Sequence, residues 1–266
     1  MFTCPICKKM MSITGNAYVC PENHCFDISR RGYVNLLCSQ SARIHGDDKQ
    51  MAGSRREFLN GGYYSRLREL ICANIDGGPV ADIGCGEGYY LEGICERLKK
   101  LAPDSHTYGI DISKAAVDAA CRRNYALPAY LAVANCTALP IADQSVAAAV
   151  SVFAPINEPE LKRILTKDGR FIRVVAGRDH LIELKRAVYE HAQLNPAADN
   201  TLCGFELKSA ENLRYTVHLD SNADIRNLFT MTPYFYRTSE RDMQKLKRLS
   251  ELDITAHFYI FIYNVK

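Results

Sequence analysis

Two groups of residues in this chain have the types and spacing that chemistry requires. The first opens it: Cys4-x2-Cys7, then Cys20-x3-His24, with Cys25 directly after. A Cys-x2-Cys pair brings two thiolates to one ion from a tight turn. A second pair, twelve residues on, closes a tetrahedral shell from a facing hairpin. On spacing alone, either His24 or Cys25 completes the set. Four protein ligands leave no open coordination position, so the expected zinc is structural. It helps to fold a segment too short to hold much core of its own.

The second group is Ala81-Asp82-Ile83-Gly84-Cys85-Gly86-Glu87-Gly88-Tyr89-Tyr90, which follows a strand-like run and opens a helix. Gly84, Gly86 and Gly88 give a turn whose backbone a ligand can approach closely. Dinucleotide loops share such glycines but use GxGxxG spacing, and position 89 is Tyr. Asp82, two before the first glycine, suits a ligand end that carries an ammonium. Asp111 comes 29 residues later, at the end of the next strand-like run. A carboxylate there accepts from two ribose hydroxyls, and capping the following helix is its alternative role. Asn135 follows the third strand, where an adenine rests. Together with Glu87 and Tyr89 as loop contacts, these residues select S-adenosylmethionine over a nicotinamide cofactor. Phe153-Ala154-Pro155-Ile156 leaves the fourth strand facing the reaction and lacks the Asn/Asp-Pro-Pro-aromatic run of exocyclic amino methyltransferases. Phe153 is there either to stack on a base or as ordinary core.

Positioning these groups takes an alternating α/β chain. Strands are expected at 79–83, 106–110, 130–133, 146–153, 171–176 and 257–263, and helices at 89–99, 114–123 and 181–193. The turn Lys167-Asp168-Gly169 leads into the fifth strand. Strands alternating with helical patterns imply a mostly parallel sheet. Residues 1–36 read as the zinc-binding module and 61–266 as the α/β domain. The intervening 37–60 look like an irregular linker bearing Arg43, Lys49, Arg55 and Arg56.

With 47% hydrophobic and 24% charged residues, the 266-residue chain has an ordinary globular composition. No run approaches the roughly 20 apolar residues needed to cross a bilayer, and Cys4 leaves no room for a signal peptide. A cytoplasmic protein without a membrane partner is expected. Of its eleven cysteines, the seven outside the first cluster are scattered and read as packing residues rather than disulfides. Residues 1–70 carry a balance of +4 and the remainder −1, which favours phosphate-backbone contacts near the N-terminus.

Several longer motifs accompany these sites. They include Tyr18-x-Cys20-Pro21-x2-His24-x-Phe26-Asp27, Gly32-Tyr33-Val34-Asn35-Leu36-Leu37 and Arg55-Arg56-x-Phe58-Leu59. Further on come Ala154-Pro155, Arg178-Asp179-His180-Leu181 and Met231-Thr232-Pro233. With them the chain resembles, over nearly its whole length, the bacterial 23S ribosomal RNA guanine-N(1)-methyltransferases, some of which confer macrolide resistance. The resemblance implies a Rossmann-like class I methyltransferase domain with a seven-stranded sheet, His24 as the fourth zinc ligand, and ribosomal RNA as partner. It also implies Tyr64 and His180 as cofactor contacts. Departures are Asp168-Gly169 in place of a Gly-Gly turn, and Cys136 in the adenine loop.

The implied reaction is an in-line attack by guanine N1 on the activated methyl group, with alignment as the main task of the enzyme. The N1 proton needs a base or stabilised anionic character; Glu158, Asp179 and His180 are candidates, and catalysis by desolvation and positioning alone is the alternative. The competing readings are a small-molecule methyltransferase whose zinc module serves homodimer formation, and an RNA-binding protein that retains the fold without the activity.

Overall fold

The structure is a computed structural model that describes residues 1–37 and 46–266; Arg43 lies outside the described residues. The chain begins with three short strands, β1 (Ser12–Thr14), β2 (Ala17–Val19) and β3 (Cys25–Asp27), paired antiparallel in that order. Gly15, at φ 61, permits the two-residue turn between the first two. A fourth strand, β4 (Val34–Asn35), leaves this module and pairs in parallel with the main sheet.

The remaining elements are α1 (Lys49–Asn60), α2 (Ser65–Ala73), β5 (Val80–Ile83), α3 (Tyr89–Leu101), β6 (Thr107–Asp111) and α4 (Lys114–Ala120). They continue with β7 (Ala129–Val133), β8 (Val146–Val152), α5 (Glu158–Ile164), β9 (Leu165–Ala176) and α6 (Ile182–Val188). Last come β10 (Phe205–Leu219), α7 (Asn222–Thr230), α8 (Glu240–Leu246) and β11 (Leu252–Val265). The main sheet has the order β10-β11-β9-β8-β5-β6-β7-β4. It is parallel from β9 to β4, while β11 runs antiparallel to both neighbours. β4 is therefore an eighth strand beyond the seven expected.

The central strands are apolar on both faces because both faces are covered. Val80, Val150 and Ile172 enter one core with Leu67 and Ile71 of α2 and Ile94 of α3. Ala81, Ala149 and Phe171 enter a second core, closed by Leu161 of α5 and by Phe2, Met11 and Tyr18 of the N-terminal module. That module is docked onto the sheet. Phe2 is fully buried, with ring centroids 5.6 Å from Tyr18, 5.7 Å from Tyr108 and 6.1 Å from Tyr130.

Three differences from the sequence reading have physical causes. The stretch taken as a linker contains α1. Asp48 caps that helix by accepting from Met51 N, and Met51, Ala52, Phe58 and Leu59 are its buried side. The turn at 167–169 sits in a bulge of β9: Val146 pairs with Leu165 but Ala148 with Arg170, so residues 166–169 loop out. α6 ends at Val188 instead of reaching Gln193, as Lys185 Nζ draws Gln193 O (3.1 Å) and Asn195 Oδ1 (2.7 Å) back toward the helix. Among the described residues, no helix is long and apolar enough to cross a membrane.

If the Phe2 contacts hold the module on the sheet, Phe2→Ala is expected to lower stability by about 3–5 kcal/mol, seen as a lower denaturant midpoint. An unchanged midpoint would mean the module is not part of the cooperative core.

Candidate functional site

At the N-terminus, the ligand atoms of Cys4, Cys7, Cys20 and His24 all lie within 4.8 Å of one another. Two knuckles bring them there, each closed by a left-handed residue: Lys8 (φ 62), whose N–H donates to Cys4 O at 2.9 Å, and Asn23 (φ 61), whose N–H donates to Cys20 O at 2.9 Å. His24 presents Nδ1, 3.3 Å from Cys20 Sγ and 3.5 Å from Cys4 Sγ. Cys25 opens β3 with its side chain exposed, outside the cluster. Three thiolates and a neutral imidazole form a soft, closed tetrahedral set suited to structural zinc.

The glycine loop lies at the carboxyl end of β5. Gly84, at φ 77, and Cys85 both donate their N–H to Ile110 O (2.7 and 3.0 Å). A Cβ at Gly84 would lie 2.2 Å from the Ala154 side chain, so only glycine fits. Gly86 N–H donates to Asp111 Oδ2 at 2.9 Å, and Ser113 N–H to Asp111 Oδ1 at 2.8 Å. Ser113 is the cap of α4, which leaves Asp111 to face the loop.

Above the loop is a cavity of about 740 Å³. Gly84, Gly86, Glu87, Tyr89, Asp111, Asn135, Tyr64 and His180 all line it. Asp82 and Gly88, also expected to touch the ligand, are not on its surface. Gly88 is the left-handed cap of α3, and a Cβ there would meet Tyr125 Oη at 2.2 Å, so helix packing accounts for that glycine. Asp82 is buried below the loop, and its Oδ2 has no hydrogen-bond partner.

The site's electrostatics follow from this burial. Glu87 Oε1 and the Tyr64 hydroxyl are likewise buried without partners, while the other Glu87 oxygen is held by the buried Arg123. Burial, with Asp111 and Glu87 nearby, pushes the Asp82 carboxyl up to about 8. Burial also raises Asp111, against the hydrogen bonds from Ser113 and Gly86. An acid-rich, under-donated end beside an apolar cavity fits a ligand with an ammonium and several donors.

The proposed proton acceptors fare poorly. His180 Nδ1 accepts from His257 N–H at 3.2 Å, and burial pushes the imidazole down to about 3. It is a neutral ring with its proton on Nε2. Burial would raise Asp179, but hydrogen bonds from Arg214 and His257 outweigh it and hold the carboxyl at about 2. Glu158 Oε2 accepts from Cys203 N–H at 2.6 Å and is off the cavity wall.

Two arginines assigned to the linker have other duties. Arg55 lines the cavity, pairs with Asp47 and donates to Met231 O at 3.2 Å. Arg56 donates to Ala119 O at 2.9 Å. Sequence reasoning missed Asp47, Met51 and the 231–234 segment as cavity wall. The signal was present: Met51, Arg55 and Leu59 are spaced four apart, one face of a helix.

Comparison with known proteins bears on both sites. A zinc-ribbon family model described as "RlmA, N-terminal" matches residues 2–43, and a model described as "Methyltransferase domain" matches residues 80–174. The chain is 32% identical over 261 residues to the 23S rRNA (guanine(748)-N(1))-methyltransferase of Streptomyces fradiae, covering 94% of this chain and 90% of that protein. It is 32% identical over 281 residues to YxjB of Bacillus subtilis (strain 168), whose activity as a 23S rRNA (guanine-N(1)-)-methyltransferase is named provisionally, with 98% and 96% covered. A Micromonospora griseorubida protein, also provisionally named for that activity, is 33% identical over 283 residues, with 95% and 93% covered.

His24→Ala is expected to lose zinc after dialysis against a chelator, and Cys25→Ala to keep one ion per chain by elemental analysis; the reverse would overturn the ligand set. Asp82 makes a second test. With its folded value raised from 3.8 to about 8, the folded protein keeps a proton that the unfolded chain releases. Its stabilising contribution is complete below about pH 4 and is lost as pH rises through about 8. Asp82→Asn should flatten that part of the stability profile between pH 5 and 8.5. An unchanged slope in denaturant melts would contradict it.

Proposed function

The chain belongs to the 23S rRNA (guanine-N(1)-)-methyltransferase family, and we propose from that premise that it transfers a methyl group from S-adenosylmethionine to ring nitrogen 1 of a guanine in a 23S rRNA hairpin. The observation that carries this reading is the similarity to the Streptomyces fradiae enzyme across 94% of the chain.

The cofactor, when bound, supplies an activated methyl group on a sulfonium. The protein's part is to bind, orient and exclude water. Glu87, on the cavity wall, would face the ammonium, with Asp82 adding its charge from beneath the loop, and the unpartnered Tyr64 hydroxyl and the Nε2–H of His180 would serve the adjoining carboxylate as donors. Asp111 accepts from the ribose hydroxyls with the lone pairs that Gly86 and Ser113 leave free. Asn135 lies on the adenine side. Gly84 and Gly86 let the backbone close on the ligand. Arg55, anchored by Asp47 and Met231, ties α1 to the opposite wall and closes the site.

With Asp179, His180 and Glu158 withdrawn as bases, the protein's contribution is alignment, and the N1 proton is given up to solvent water as the N–CH3 bond forms and the S–CH3 bond breaks. A paired guanine hides N1, so the target base is splayed out before it enters. The zinc ribbon, docked beside β7 through β4, holds the surrounding RNA, and its exposed Lys8 and Arg30 contribute to the phosphate grip.

The direct test is incubation with methyl-labelled S-adenosylmethionine and unmodified 23S rRNA, 16S rRNA or a metabolite extract. Label is expected in 23S rRNA alone, as 1-methylguanosine after digestion. Label in a metabolite or at another base position would overturn the proposal.

A further inference from the structure

Phe153 stands immediately beyond β8. It lines the cavity with 47% of its surface exposed, although the two residues before it, Ser151 and Val152, are buried. Its backbone is left-handed, φ 57, a region that a large side chain enters only when its surroundings enforce it. Two contacts do so. Phe153 N–H donates to Val174 O at 3.1 Å, and Ser151 Oγ donates to Ala154 O at 3.3 Å. Ala154 in turn abuts Gly84, where a Cβ would lie 2.2 Å from the alanine methyl. The segment that turns the phenyl ring outward is thus braced against the cofactor loop itself.

The ring is supported from behind. It stacks on His180 with centroids 5.8 Å apart and planes 23° apart, and it tilts against Phe258 at 5.8 Å. His180 is fixed in turn by the His257 N–H at its Nδ1 and is uncharged. Of the exposed large apolar side chains among the described residues, Phe153 alone lines the cavity. A flat, backed, exposed aromatic face beside the cofactor loop is the arrangement that receives another flat ring.

We propose that Phe153 is the platform on which the flipped-out target base stacks, a positioning residue that orients the base against the methyl donor. The inference deepens the function proposed above and rests on it. The face is a π-surface without hydrogen-bonding groups, so it sets the plane of the base and leaves recognition of its edge to other residues.

Two experiments test it separately from the substrate assignment. The chain has no tryptophan, so Phe153→Trp places its one indole, excited selectively beyond the tyrosine band, at the site. With S-adenosylhomocysteine bound, guanosine 5′-monophosphate is expected to quench it and ribose 5-phosphate to leave it unaltered. In turnover on unmodified 23S rRNA, Phe153→Leu should lower kcat/KM roughly 5- to 150-fold, the loss typical of one base–aromatic stack. Phe153→Tyr should restore most of it, and S-adenosylhomocysteine affinity should stay within about twofold in both. Quenching without any rRNA methylation by the unaltered protein would uphold the platform and reject the rRNA assignment. An active Leu variant equal to Tyr, with no quenching in the Trp variant, would overturn the platform. So would a Leu variant whose cofactor affinity falls as far as its turnover, because Phe153 would then be a wall of the cofactor site.

Discussion

Three carboxylates crowd around the glycine loop, Asp82 buried beneath it and Glu87 and Asp111 on the wall of a largely apolar cavity, and the rest of the site is organised around their cost. Among the described residues Glu87 alone of the three has a buried counter-ion, Arg123, and Asp111 accepts from backbone N–H groups. Asp82 keeps an oxygen without a donor. Negative groups left this way in low dielectric resist ionisation unless a cation arrives. The parallel sheet makes the clustering possible. Asp82 and Asp111 end neighbouring strands β5 and β6, and β8 flanks β5 on its other side, so all three strand ends open at the point where the strand order reverses. The third strand end there delivers Phe153.

The second dependence runs through the zinc ribbon. Its ligands Cys4 and Cys20 are buried in the same second core of the sheet as Phe2, Met11 and Tyr18. β4 extends the sheet beside β7. Zinc binding and sheet packing therefore stabilise the same unit. Beyond it, α1 carries Arg55 into the cavity and packs against α4 and α7, so that the cofactor wall is built from segments on both sides of the glycine loop.

What could be read from residues alone follows a physical line. The loop at 84–88 was legible because left-handed glycines and a following helix leave a compact mark, and Asp111 because it ends the next strand. The metal set was legible as two pairs; spacing alone left His24 and Cys25 open, the family resemblance chose His24, and the turn at Asn23 faces that residue inward and Cys25 out. α1 was passed over because its four buried residues are split by polar ones, though their seven-residue spacing is helical. β10 escaped notice as an edge strand with mostly exposed side chains, although Leu213, Tyr215, Val217 and Leu219 alternate. That Asp82 and Gly88, expected as cofactor contacts, lie off the cavity surface was not legible for a different reason. Burial below the loop and packing against Tyr125 can be seen only in three dimensions.

The central claim is that this acid-lined end is built for the ammonium of the cofactor's amino-acid portion. Calorimetry comparing S-adenosylhomocysteine with its analogue lacking only the α-amino group tests it most directly. The account predicts roughly 10- to 150-fold weaker binding of the analogue, the usual loss for one charged hydrogen-bonding partner. Equal affinities would contradict it and leave the buried carboxylates without a role in binding.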